Sequence, residues 1–132
     1  MGFDARELFA TLAEKERIKG HHSPEGRAIR VLSRALSGWA GGGLSGRDVV
    51  VLCHQAVEDW LKTRLKRSPW SAQTTAALAA AAVKDRLITR WDAARLQELA
   101  NLRVRGVDEA RLAKAEVEEA LEFCLQLIEK HW

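Results

Sequence analysis

Apolar residues return every three or four positions through most of this chain, the spacing of helices that each bury one face. A first helix is expected from an Asp4 cap to about Lys19, with Leu8, Phe9 and Leu12 on one side, ended by Gly20-His21-His22. Ser23-Pro24-Glu25 opens a second. The serine hydroxyl accepts from a free helix N–H, proline suits the first helical position, and the acid sits at the positive end of the dipole. That helix carries Ile29, Leu32, Leu36 and Trp39 and breaks at Gly41-Gly42-Gly43. Ser45 or Arg47 starts a third, running to about Arg67. Its wide apolar stripe includes Val49, Leu52, Cys53, Ala56, Val57, Trp60, Leu61 and Leu65, and suits the centre of a bundle. Ser68-Pro69 marks another start before the alanine-rich stretch 71–88. Thr89 caps a helix from about Arg90 to Val104, and a last helix spans about Val107 to Lys130. No strand-like alternation occurs. The fold class is all-α: an antiparallel bundle of five to six helices with short connections. It forms one domain over 1–132, with the helices at 4–40 packed on a core of about 44–130.

The chain of 132 residues is long enough to bury a core without disulfides or metal. Its net charge of +3 is too small to argue for nucleic acid by itself. Cys53 and Cys124 lie inside apolar helical stretches, which predicts buried reduced thiols. No uncharged run approaches the ~20 residues of a membrane span, and the N-terminus has no apolar signal core. A soluble, cytoplasmic protein with no membrane partner is expected.

Most candidate chemistry falls away on spacing. The three consecutive glycines lack the Lys-Ser/Thr of a phosphate loop. His21 and His22 are adjacent, so their side chains diverge, and no third ligand accompanies them; His54 and His131 stand alone. No metal and no cofactor is expected, and no catalytic set can be assembled from spacing. Of the five tryptophans, Trp39 and Trp60 belong to apolar faces, whereas Trp70, Trp91 and Trp132 lie near helix ends. The cations Lys62, Arg64, Lys66 and Arg67 end the third helix, where they complement its dipole.

One stretch keeps position and neighbours in agreement: Leu96-Gln97-Glu98-Leu99-Ala100-Asn101-Leu102-Arg103-Val104-Arg105-Gly106. On a helix, Gln97, Asn101 and Arg105 follow at four-residue intervals and share a face, with Glu98 one seam away and Leu99 and Leu102 turned inward. Such a polar line reads either as the lining of a cleft or as a solvated strip. Arginine offers a fork for phosphate, and asparagine both donates and accepts.

From Leu44 to Ile128 the chain resembles the HEPN superfamily, in particular its bacterial branches. The resemblance rests on three pieces in order: the helix Val51-Leu52-Cys53-His54-Gln55-Ala56-Val57-Glu58-Asp59-Trp60-Leu61-Lys62, the Leu-x-x-Leu-x-Asn-x-x-x-Arg-Gly stretch, and a long terminal helix rich in Glu, Ala and Leu. It implies a homodimer. Active members carry an Arg-x4–6-His ribonuclease motif, in which the arginine and histidine hold the scissile phosphate and move protons. Here those positions are Ala100 and Arg105, beside a retained Asn101. Alanine cannot hold phosphate, and arginine cannot act as a base. Arg17 to His22 and Arg47 to His54 have related spacings but fall away from the motif's place. The tyrosine modified in the family's nucleotidyltransferase-paired systems is missing, since the chain has no tyrosine. The expectation is a non-catalytic binding or regulatory module that recognises a nucleotide or RNA phosphate through Asn101, Arg105, Gln97 and Arg103. The alternatives are a divergent, metal-independent, toxin-type ribonuclease with a relocated base such as His54, and a structural bundle that takes a protein partner.

Overall fold

Polar side chains at Ser23, Ser45 and Thr89 start helices where the sequence places them. Ser23 Oγ accepts from the Gly26 N–H at 2.9 Å. Ser45 and Asp48 cap each other's backbone reciprocally. Thr89 and Asp92 form a second reciprocal pair, and Thr74, a cap the sequence reading does not single out, accepts from the Ala77 N–H at 3.1 Å. The computed structural model describes residues 5–19, 23–68, 73–108 and 112–131. They form α1 (Ala5–Lys19), α2 (Pro24–Ala40), α3 (Gly46–Arg64), α4 (Thr75–Lys84), α5 (Arg90–Asp108) and α6 (Lys114–Lys130), with no strand among the described residues. The architecture is the all-α bundle that the periodicity predicts. The Asp4 cap, His21-His22, Pro69, Trp70 and Trp132 lie outside the described residues.

Helix ends depart from the expectation, and the backbone shows why. At the end of α2 the Gly43 N–H bonds to Gly38 O and the Gly42 N–H to Trp39 O, with Gly42 at φ 74°. This is a Schellman cap with glycine at its left-handed position. Two further caps have the same bonds but no glycine. Lys66 (φ 57°) closes α3, with Arg67 N–H on Lys62 O, and Arg86 (φ 58°) closes α4, with Leu87 N–H on Ala82 O. Each places a side chain in a conformation that costs roughly 1–2 kcal/mol. No glycine marks either end, and the sequence reading passes both: α3 stops at Arg64 instead of Arg67, and α4 stops at Lys84 within the alanine-rich stretch read to residue 88. The last boundary also moves. Helix α5 continues to Asp108 and α6 begins at Lys114, so the Gln97–Arg105 stretch lies wholly within α5.

Helix α3 is the centre of the bundle, packed against α2, α4, α5 and α6, while α1 lies on α2 and α6. Its Cys53, Val57, Trp60 and Leu61 are buried, as are Leu32 of α2 and Leu121, Cys124 and Leu125 of α6. Both thiols are free, as the sequence predicts. Cys124 Sγ lies 3.8 Å from the Cys53 carbonyl oxygen, and hydrogen bonding with Cys53, then burial, hold the Cys124 pKa well above the ordinary value. One buried carboxylate locks α2 to α3. Glu25 accepts from Trp60 Nε1 at 2.6 Å and from Arg64 Nε and Nη2 at 3.0 and 2.5 Å. Among the described residues, no helix is long and apolar enough to cross a membrane.

Candidate functional site on the two sides of α5

Successive helical residues turn by about 100°, so residues two apart point to nearly opposite sides. Arg103 and Arg105 use this: Arg105 reaches α6, and Arg103 reaches α3.

On the α6 side, the two antiparallel helices are pinned at both ends. Lys130 Nζ donates to the two Asp92 oxygens at 3.0 and 3.2 Å. At the other end, Arg105 Nη1 and Nη2 donate to the two Glu116 oxygens at 2.7 and 3.3 Å. Glu116 also accepts from the Ala113 N–H at 3.2 Å, so one carboxylate both starts α6 and holds the end of α5. The Arg105 hydrogen bonds draw the Glu116 pKa below the ordinary carboxylate value. For Asp92, burial raises the pKa, but hydrogen bonds from Lys130 and Thr89 outweigh it, and the net shift is downward.

Between the pins the helices part over a cleft of about 280 Å³. Leu99, Leu102, Ala120 and Phe123 supply its apolar surface; Asn101 and Arg105 stand on the α5 wall, and Glu116 and Glu119 on the α6 wall. The Arg95 guanidinium lies 5.3 Å from the centre of the Phe123 ring, a cation–π contact, and 3.6 Å from Glu98. Three carboxylates (Glu98, Glu116, Glu119) thus face two guanidinium groups (Arg95, Arg105). Glu119 has no ion-pair partner among the described residues. The polar line expected from the sequence is present: Gln97 Nε2 donates to Asn101 Oδ1 at 3.1 Å, and both are exposed. Asn101 and Arg105 border the cleft, whereas Gln97 stands outside its lining. Spacing along α5 gave no sight of Glu116, Glu119 or Phe123. They belong to another helix, and only packing brings them opposite.

On the α3 side, Arg103 and His54 meet across 49 residues of sequence, with Arg103 Nη1 2.9 Å from His54 Nδ1. A guanidinium only donates, so Nδ1 is the acceptor and the ring proton sits on Nε2, which donates to Thr75 Oγ1 at 2.8 Å. Burial lowers the His54 pKa, the Glu58 carboxylate raises it in part, and Arg103 lowers it again. Glu58 stands 3.6 Å from the same ring nitrogen and 3.2 Å from the buried Lys62 ammonium. Two of the cations at the end of α3 are therefore used inside the fold: Lys62 by Glu58, and Arg64 by Glu25. His131 packs its ring 5.0 Å from that of Trp60. Among the described residues, no group of three His, Cys, Asp or Glu side chains is placed to hold a metal ion. Comparison with protein-family models, with curated proteins and with solved structures finds no match for this chain.

Proposed function

We propose that this chain is a non-catalytic, HEPN-like helical binding module, and that it binds through the α5–α6 cleft. The observation that carries the reading is the pairing of α5 with α6: ion pairs at both ends and an apolar opening between them. A gap of about 280 Å³ is slightly below the ~300–1,000 Å³ of pockets that enclose whole small ligands. It suits side chains of a partner better than an entire nucleotide. A phosphate would also have to share Arg105 with Glu116 and lie near Glu98 and Glu119. A protein partner is thus favoured over the nucleotide or RNA phosphate expected from the sequence. The homodimer belongs to this proposal through the family resemblance, and light scattering of the purified protein measures it directly.

The contact between Arg103 and His54 favours a second reading, a divergent ribonuclease. In it Arg103 swings onto a phosphate and frees Nδ1 to take a proton. The ring is only 5% exposed and its other nitrogen is bound to Thr75, which counts against this reading. An RNA-cleavage assay on the wild-type protein, His54→Ala and Arg103→Ala separates the two. No cleavage in any sample is the expected result. Cleavage by the wild type that is lost in both variants would replace the binding module with the nuclease.

A further inference from the structure

Resting on the cleft reading above, we infer that the α5–α6 groove docks a cationic amphipathic helix of a partner protein. The helix would present two apolar side chains about two turns apart, with a Lys or Arg placed to meet Glu119.

Length, sockets and charge each contribute. From Asp92 to Arg105 the groove follows α5 for ~20 Å at 1.5 Å per residue, the length of three to four helical turns. Its floor is not one pocket. Beyond the Arg95–Phe123 contact, a second depression of about 90 Å³ has Asp92, Arg95, Gln126 and Lys130 on its border, and the exposed Trp91 ring supplies its apolar surface. Trp91 and the cleft residue Leu99 lie eight residues apart along α5, about two turns. That is close to the i, i+7 spacing with which a helix laid in a groove seats successive anchors. Trp91 is 69% exposed at the outer end, the largest apolar side chain so presented among the described residues. A solvent-facing tryptophan beside a socket is a strong anchor for a partner's apolar residue.

The sign of the partner follows from the walls. Arg105 is held by Glu116, and Arg95 is shared between the Phe123 ring and Glu98. Glu119 has no such partner among the described residues. A cation beside it completes the pairing, whereas an acidic helix would add a fourth carboxylate to three.

The test uses the full chain and a panel of synthetic helical peptides about 16 residues (~24 Å) long. Each carries two leucines seven residues apart and a lysine walked through successive positions between them. A matched panel carries glutamate in place of lysine; ATP and a short single-stranded RNA complete the set. Amide and indole NMR shifts report the site, and titration gives the affinity. The expected result is that at least one lysine peptide shifts Trp91, Leu99, Leu102 and Phe123. Glu119→Lys should weaken it about tenfold, and the matching glutamate peptide should regain affinity for that variant. Equal binding of both panels would overturn the charge assignment. ATP or RNA shifting the cleft while no peptide does would overturn the helix proposal and leave the cleft as a binding site. Shifts in the cleft on dilution of the protein alone would make the occupant a second copy and overturn it too. A cleft that responds to nothing removes both this inference and the function it rests on.

Discussion

Helix α5 presents two arginines two residues apart, and the surroundings of each differ in what they can yield. Arg103 closes a polar cluster in which His54 is buried and both of its ring nitrogens are engaged. Arg105 closes one end of a cleft in which apolar surface is open and the charges are on the walls. The first arrangement ties α3, α4 and α5 together through a ring that has no spare capacity. The second holds two helices at their ends and leaves their middles apart. Stability is concentrated on the α3 side of α5 and available surface on the α6 side.

Substitutions sharpen this difference. His54→Ala removes a buried ring and leaves Arg103 and Thr75 without it, and should lower unfolding stability by about 2–3 kcal/mol, read as a lower urea midpoint. Asp92→Ala removes one half of the reciprocal cap of α5 and one of the two pins, and should cost about 2 kcal/mol. It should also loosen the Trp91 end of the cleft, seen as faster amide exchange in the first turn of α5. If Asp92→Ala proved the more damaging of the two, the assignment of stability to the α3 side would fail.

The pH dependence is the next largest effect. The folded chain holds His54 neutral with a lowered pKa, while the unfolded chain titrates near the ordinary 6.5. Below that value the unfolded state binds more protons, so stability is complete above about pH 6.5 and falls as the pH drops through the folded value. His131 is shifted in the same direction, chiefly by burial. Denaturant melts between pH 7 and pH 5 should show a decline that His54→Gln reduces and His54→Gln with His131→Gln reduces further. Asp92 acts in a separate window. Its pKa is lowered from 3.8, so its contribution is lost only in more acid solution, as the pH falls through the folded value. The smallest effect is expected for Arg105→Ala. Its pair with Glu116 is half in solvent, where such pairs contribute little. A melt close to wild type, with faster exchange at the start of α6, is the predicted outcome; a large loss would place Arg105 among the core contacts.

The helices were legible because their signals are local. Ser23-Pro24-Glu25 and Thr89 each act on an N–H within a turn of themselves, and Ile29, Leu32 and Leu36 mark a buried face by spacing alone. The ends of α3 and α4 were not, because Lys66 and Arg86 take the left-handed position that sequence reading assigns to glycine. The polar line Gln97–Asn101–Arg105 was legible as a shared face of one helix. That the same α5 turns Arg103 the other way, onto His54, was not.

The sequence by itself determined the all-α class, the starts of α2, α3 and α5, the buried thiols and the face on which Asn101 and Arg105 lie. Each follows from interactions within about four residues, whose geometry the helix repeat imposes. Only the tertiary structure decided that Glu116 takes up Arg105, that Phe123 and Glu119 face Leu99 and Leu102 across an opening, and that His54 meets Arg103. Those pairings depend on how far α5 stands from α6 and from α3. Helix separation is set by the fit of whole side-chain surfaces, which no periodicity along one helix records.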